Sequence, residues 1–104
     1  MTNKIDRQKL YELLTRIPRG KVTTYGCLAK ALGNKSWARA VGNILHENPD
    51  GDRYPCYKVV NGKGELSLAY AFGGIAEQQK RIEADGIEVT NGKIDLSIYG
   101  VDTL

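Results

Sequence analysis

Thr24-Tyr25-Gly26-Cys27-Leu28-Ala29-Lys30-Ala31-Leu32-Gly33-Asn34-Lys35-Ser36-Trp37-Ala38-Arg39-Ala40-Val41-Gly42-Asn43-Ile44-Leu45-His46 is the stretch that decides the fold. Thr24 is suited to cap a helix from Tyr25 to Leu32, whose Leu28, Ala29 and Leu32 share one face, and Gly33 offers the left-handed stop. Ser36 is suited to cap a further helix running to about His46. The joint Gly33-Asn34-Lys35 gives the two helices the spacing of a helix-turn-helix. At about 100° per residue, Trp37, Ala40, Val41, Ile44 and Leu45 gather on one side of the second helix. Ser36, Arg39, Asn43 and His46 gather on the other, with Gly42 beside them. A face with one guanidinium, short polar side chains and a residue without bulk can approach a nucleic-acid groove closely.

Working outward, Asp6 to Ile17 reads as a helix with Leu10, Leu13, Leu14 and Ile17 in one stripe, ended by Pro18 and Gly20. Downstream, Asn48-Pro49-Asp50-Gly51-Asp52 is loop, and Tyr54 to Val60 reads as a short strand closed by the turn Asn61-Gly62-Lys63-Gly64. A glycine-containing loop, Ala71-Phe72-Gly73-Gly74, precedes a helix from Ile75 to about Ala84. Ile87–Thr90 and Lys93–Leu96 flank Asn91-Gly92, a strong hairpin signal. The expected fold is therefore α+β and mainly helical: a winged helix-turn-helix-like DNA-binding domain with a small C-terminal hairpin. One domain spans residues 1–104, and residues 98–104 are expected as a loose tail.

The composition narrows the class. The chain has 104 residues, a formal charge of +3, one histidine and two cysteines. A mildly basic balance permits a polyanionic partner without demanding one. Two cysteines do not make a disulfide framework, and without a Cys-x-x-Cys pair a structural zinc site is not expected. No apolar run reaches membrane-spanning length and no signal-peptide core follows Met1, so a cytoplasmic protein without a membrane partner is expected.

Cys56 follows Pro55 in the strand-like run. It reads either as a presented thiolate nucleophile or as a small buried hydrophobe, and the second is the usual fate of a cytosolic cysteine. Cys27, early in a packed helix, fits that usual fate. Arg39 is suited to a phosphate, a base edge or the gap left by an extruded base, or is a solvated surface arginine. Tyr25 either touches a phosphate or packs, with nothing to choose between them. His46 at a helix end favours the dipole. Asn48 before Pro49 is ordinary turn chemistry, and Asp85 before Gly86 an ordinary helix-end acid.

Together these motifs resemble a known family. Ile17-Pro18-Arg19-Gly20-Lys21-Val22-Thr23-Thr24-Tyr25-Gly26, then Ala38-Arg39-Ala40-Val41-Gly42, Asn48-Pro49, Pro55-Cys56-x-x-Val59-Val60 and Gly73-Gly74 are similar, in order and interval, to the C-terminal DNA-binding domain of O6-alkylguanine-DNA alkyltransferases. They are also similar to that of the alkyltransferase-like proteins. The resemblance covers roughly residues 6 to 87. It implies minor-groove binding through the helix-turn-helix, with Ala38, Gly42, Ser36 and Asn43 on the DNA side. Arg39 corresponds to the arginine that replaces the departing guanine, and Tyr25 to the tyrosine that turns the 3′ phosphate. Asn48 corresponds to the brace of the active-site turn. Cys56 corresponds to the single-use alkyl acceptor, and the Val59 carbonyl to one that reads the flipped base. Tyr25, Pro55, Val59, Phe72, Gly73 and Gly74 correspond to the base pocket.

Three departures bear on activity. The family's Pro-Cys-His-Arg-Val stands here as Pro55-Cys56-Tyr57-Lys58-Val59, so a phenol of ordinary pKa about 10 replaces the histidine base. The glutamate that orients that histidine corresponds to Asp85. Alkyltransferase-like relatives usually replace the acceptor cysteine, whereas this chain keeps Cys56; like them, it is expected to lack the enzymes' N-terminal domain. The resemblance thus implies a monomer without cofactor or metal. It would bind double-stranded DNA containing O6-alkylguanine and either accept the alkyl group or hand the lesion on, for instance to nucleotide excision repair proteins. A basic helix-turn-helix protein with a structural Cys56 is the alternative outside repair.

Overall fold

In a computed structural model, residues 5–66, 74–101 and 103–104 are described. The first helix, α1, spans Arg7–Thr15, and its Asp6 cap accepts a hydrogen bond from the Lys9 N–H at 3.1 Å. Leu10, Leu13 and Leu14 form its buried stripe, as the spacing predicts. A two-residue strand, β1 (Thr23–Thr24), leads directly into α2 (Tyr25–Ala31). Thr24 caps α2 through a 3.1 Å bond from the Cys27 N–H, and Gly33 stops it with φ of +114°.

Entry into the next helix differs from expectation. Lys35–Trp37 is a 3-10 turn, and α3 runs Ala38–His46. Ser36 is not the cap. The Asn34 carboxamide oxygen accepts from both the Ser36 N–H (3.0 Å) and its hydroxyl (2.6 Å), so a local Asn turn supersedes the serine cap. Val41, Ile44 and Leu45 face inward. Ala40, about 100° from Val41, is exposed instead.

The Tyr54–Val60 segment is not one strand. Cys56–Lys58 forms a second 3-10 turn, closed by the Lys58 N–H on the Pro55 carbonyl at 3.1 Å, and only Val59–Val60 is extended as β2. Pro55 has no N–H to pair, and the Lys58 N–H is taken up within the turn by the Pro55 carbonyl. β2 pairs parallel with β1, Thr23 opposite Val59 and Thr24 opposite Val60. Val59 belongs to the core formed with α1, α2 and α3, whereas Val60 belongs to a second core with Val22, Leu66, Ile82, Ile87 and Ile94. The short strand therefore joins two cores, and the cysteine turn stands at its start.

α4 spans Gly74–Ala84. Beyond it, Asn91 (φ 54°) and Gly92 (φ 73°) form the expected tight turn, with reciprocal Thr90 and Lys93 backbone bonds of 2.9 and 3.0 Å. The arms make an isolated bridge and not a ladder, because Asp95 caps a last helical turn, α5 (Leu96–Tyr99). Residues 98–101 are not a loose tail. Val22 donates to the Tyr99 carbonyl and Val101 donates to the Val22 carbonyl, each at 2.8 Å.

Two glycines separate torsional strain from collision. Gly33 has open space around its missing side chain, whereas a Cβ on Gly64 (φ +80°) would strike the Ile94 carbonyl. Gly64→Ala is expected to lower stability by about 3 kcal/mol and Gly33→Ala by about 1 kcal/mol, read from urea midpoints. Equal losses would contradict the collision.

Candidate nucleic-acid interface and thiol site

α2 and α3 pack together and turn one polar surface outward. An open cavity of about 580 Å³ lies over it, lined by Tyr25, Ala38, Arg39, Gly42, Asn43, His46 and Glu47, the last paired with Arg7 at 2.9 Å. Arg39, Asn43 and His46 are exposed. The Tyr25 ring stands over α3, since a Cβ on Gly42 would sit 3.7 Å from its Cε1. That is ordinary contact, so the protein's own packing does not require a glycine there. Ser36 is exposed but does not line this surface.

Cys56 packs in one core with Val41, Ile44 and Leu45 of α3 and is only 6% exposed. Asn48, equally buried, holds the loop around it: its Nδ2 donates to the Tyr54 carbonyl at 2.8 Å and its Oδ1 accepts from the Asp50 N–H at 3.0 Å. Burial pushes the Cys56 thiol above its ordinary pKa. A hydrogen bond with the Asn48 side chain, its own backbone and the Arg81 guanidinium oppose that shift without overcoming it. Pro55 is half-buried ahead of the turn, and Val59 is fully buried behind it.

The base-and-orienter positions are differently employed. Burial, then the charge of Asp85, raises the Tyr57 phenol further above its ordinary value. Asp85 is bound elsewhere. Its Oδ2 lies 2.8 Å from Lys58 Nζ and accepts from the Gly20 N–H at 2.7 Å. Lys58 Nζ also donates to the Pro18 carbonyl at 3.1 Å. Phe72 and Gly73 lie outside the described residues. Gly74 opens α4 at φ +75°.

A family model described as the DNA binding domain of 6-O-methylguanine DNA methyltransferase matches residues 6–87. The chain belongs to this family. It is 39% identical over 92 residues to the DNA base-flipping protein of Vibrio parahaemolyticus, covering 88% of this chain and 90% of that one. It is 51% identical over 90 residues to the bifunctional methyltransferase/endonuclease of Picrophilus torridus, covering 86% of this chain but only 30% of that protein. Among solved structures, Schizosaccharomyces pombe Atl1 in complex with damaged DNA containing O6-carboxymethylguanine superposes with a TM-score of 0.82 at 31% identity. That match covers 91% of this chain and 93% of the other.

In this member of the alkyltransferase family, Gln78 is a site-supporting residue that helical periodicity did not single out. It is fully buried, and its Nε2 donates to the carbonyls of Tyr57 (3.1 Å) and Val59 (3.2 Å). The available signal was phase. Gln78, Ile82 and Asp85 are spaced i, i+4, i+7, one helical face.

The Lys58–Asp85 pair makes a stability prediction. Burial works to raise the Asp85 pKa, but the Lys58 and Gly20 hydrogen bonds and the charges of Lys58 and Arg19 bring it below its ordinary value. A depressed carboxyl stabilises the fold above its unfolded pKa of about 3.9 and loses that contribution as pH falls through the folded value. Asp85→Asn is expected to destabilise by roughly 3 kcal/mol at pH 7, since it leaves the buried Lys58 charge unpaired. The deficit should close below about pH 4. Chemical denaturation across pH 3–8 checks this, and a pH-independent deficit would contradict it.

Proposed function

We propose that this chain binds duplex DNA carrying O6-alkylguanine in the minor groove, swings the lesion out, and holds it beside Cys56. The observation that carries this reading is the Arg39–Gly42–Asn43 face under its open cavity, on the helix whose buried side shares a core with the braced cysteine. Arg39 fills the vacated place in the stack, Tyr25 turns the adjoining phosphate, and bare Gly42 lets the backbone close on the sugar. Ala38, Ser36 and Asn43 complete the DNA side. Asn48 braces the Cys56 turn, and Pro55, Val59 and Gly74, with Phe72 and Gly73, form the base pocket.

Lesion binding takes precedence over chemistry. Alkyl transfer needs a sulfur anion: a C–S bond forms as the alkyl C–O bond breaks, and the departing guanine takes up at N1 a proton that balances the one lost by the thiol. Here burial holds the thiol proton on, Tyr57 is a poor base, and Asp85 is committed to Lys58. Transfer to Cys56 is the second reading, supported by the retained sulfur and by Arg81. It would be a slow single-turnover reaction that quickens as pH rises past the ordinary thiol pKa of about 8.5. A monomer that grips an unrepaired lesion inside the cell must pass it on. Nucleotide excision repair proteins are the partners proposed, and the name of the Picrophilus relative couples a methyltransferase with an endonuclease.

Gel shifts with matched duplexes, with and without O6-methylguanine, test the reading at fixed salt. Arg39→Ala should lower lesion affinity by about 1–3 kcal/mol, while Cys56→Ala should leave it intact. Unchanged affinity in the arginine variant would overturn the assignment. Intact-protein mass after incubation separates the two readings: a gain of one methyl on Cys56 identifies the enzyme, and retention of the lesion without it identifies the sensor.

A further inference from the structure

We infer that Gln78 is a positioning residue. It ties the cysteine-bearing turn to α4 and so sets where the Cys56 sulfur and the Val59 carbonyl stand against a swung-out purine. The inference rests on the lesion-binding reading above and adds to it a residue on a separate element.

The Gln78 amide has no exposure to solvent, although it sits on a helix face shared with Ile82 in an apolar core. Its Nε2 reaches two main-chain carbonyls, Tyr57 at 3.1 Å and Val59 at 3.2 Å. Those two residues bracket the junction where the 3-10 turn Cys56–Lys58 gives way to β2. A primary amide carries two N–H groups, one for each carbonyl. Methionine or leucine would fill the space but strand two buried acceptors, at about 1–3 kcal/mol each. An ionised glutamate would present acceptors to acceptors.

The contact does more than fill a core. The Tyr57 carbonyl is one residue beyond the sulfur, and the Val59 carbonyl is itself proposed to read the base. A carbonyl oxygen accepts two hydrogen bonds, so the clamp and a base donor can share it. On its other sides the turn is held by Asn48 through the Tyr54 carbonyl and by Lys58 through Pro18 and Asp85. Gln78 is the tie to the first half of α4, the helix that also brings Arg81 to bear on the thiol. In catalysis a misplacement of about 1 Å caused by a remote substitution can cost about a hundredfold in rate, and a base held against the same turn depends on the same placement.

Gln78→Met in the full chain tests the inference by two readouts. The first is the ratio of affinities for O6-methylguanine and unmodified duplexes of one sequence. It should fall about tenfold or more, while affinity for the unmodified duplex, made by α3, is retained. The second is native labelling by iodoacetamide, mapped by peptide mass, with Cys27 on α2 as internal reference. Cys56 labelling should rise severalfold relative to Cys27 as the turn loosens. A lowered melting temperature with both ratios unchanged would reduce Gln78 to a structural residue and overturn the inference. Should the methionine variant not fold, Gln78→Glu, which keeps size and reach, is read in the same way. If the unsubstituted chain shows no preference for the lesion, the lesion-binding reading fails, and the labelling ratio alone decides the clamp.

Discussion

A half-buried carboxylate joined to a buried lysine ties together the parts of this protein that must stay in register. Asp85, at the end of α4, takes the Lys58 ammonium and the Gly20 N–H, and Lys58 continues to the Pro18 carbonyl. Three segments far apart in sequence meet there: the linker between α1 and β1, the cysteine turn, and the exit from α4. The linker leads through β1 into α2, and β1 pairs with the strand that follows the cysteine turn. The helix-turn-helix and the cysteine turn are therefore tied by charge and hydrogen bonds at this point as well as by the apolar core they share. Such a pair stabilises little over an apolar substitute, but removing either partner alone is severe.

The same arrangement accounts for the balance between holding and reacting. In the family resemblance, an acid at the Asp85 position orients a histidine that deprotonates the cysteine. In this chain that acid neutralises a buried lysine, and the residue after Cys56 is a tyrosine whose proton is held more tightly than usual. The two changes are coherent. Once no histidine needs orienting, a carboxylate at the helix end can serve the fold. The sulfur then sits in a mostly apolar setting, with Asn48 and Arg81 giving partial relief from desolvation. Such an environment favours a neutral, well-placed thiol over a standing nucleophile.

Much of this was legible in the sequence because it is local and periodic. The Leu10–Leu13–Leu14 stripe, the Thr24 cap, the Gly33 stop and the Asn91-Gly92 turn all appear in the structure at those residues. The exposed set on α3 follows from its hydrophobic phase. Failures occurred where a side chain reached across the molecule or where two local signals competed. Asn34 displaced Ser36 as the cap because its carboxamide bonds both the N–H and the hydroxyl of Ser36. The strand expected from Tyr54 shortened to two residues because Pro55 lacks an N–H and the backbone after it closes into a 3-10 turn. Residues 98–101 acquired order through Val22, a partner some eighty positions away that no window could see. Gln78 was overlooked because a polar residue in an apolar phase reads as an exception until its two carbonyl acceptors are located.

The central claim is that a purine leaving the stack beneath α3 arrives at Cys56. Thiol–disulfide exchange tests it without requiring alkyl transfer. A duplex whose guanine carries an O6-alkyl tether ending in a mixed disulfide is incubated with the protein, and the cross-linked cysteine is identified by peptide mass. The account predicts an adduct at Cys56 that forms faster within the helix than on a single strand, is slowed by Arg39→Ala and is outcompeted by O6-methylguanine DNA. An adduct at Cys27, or one at Cys56 that forms no faster within the helix than with the tether on a single strand and ignores Arg39, would contradict it.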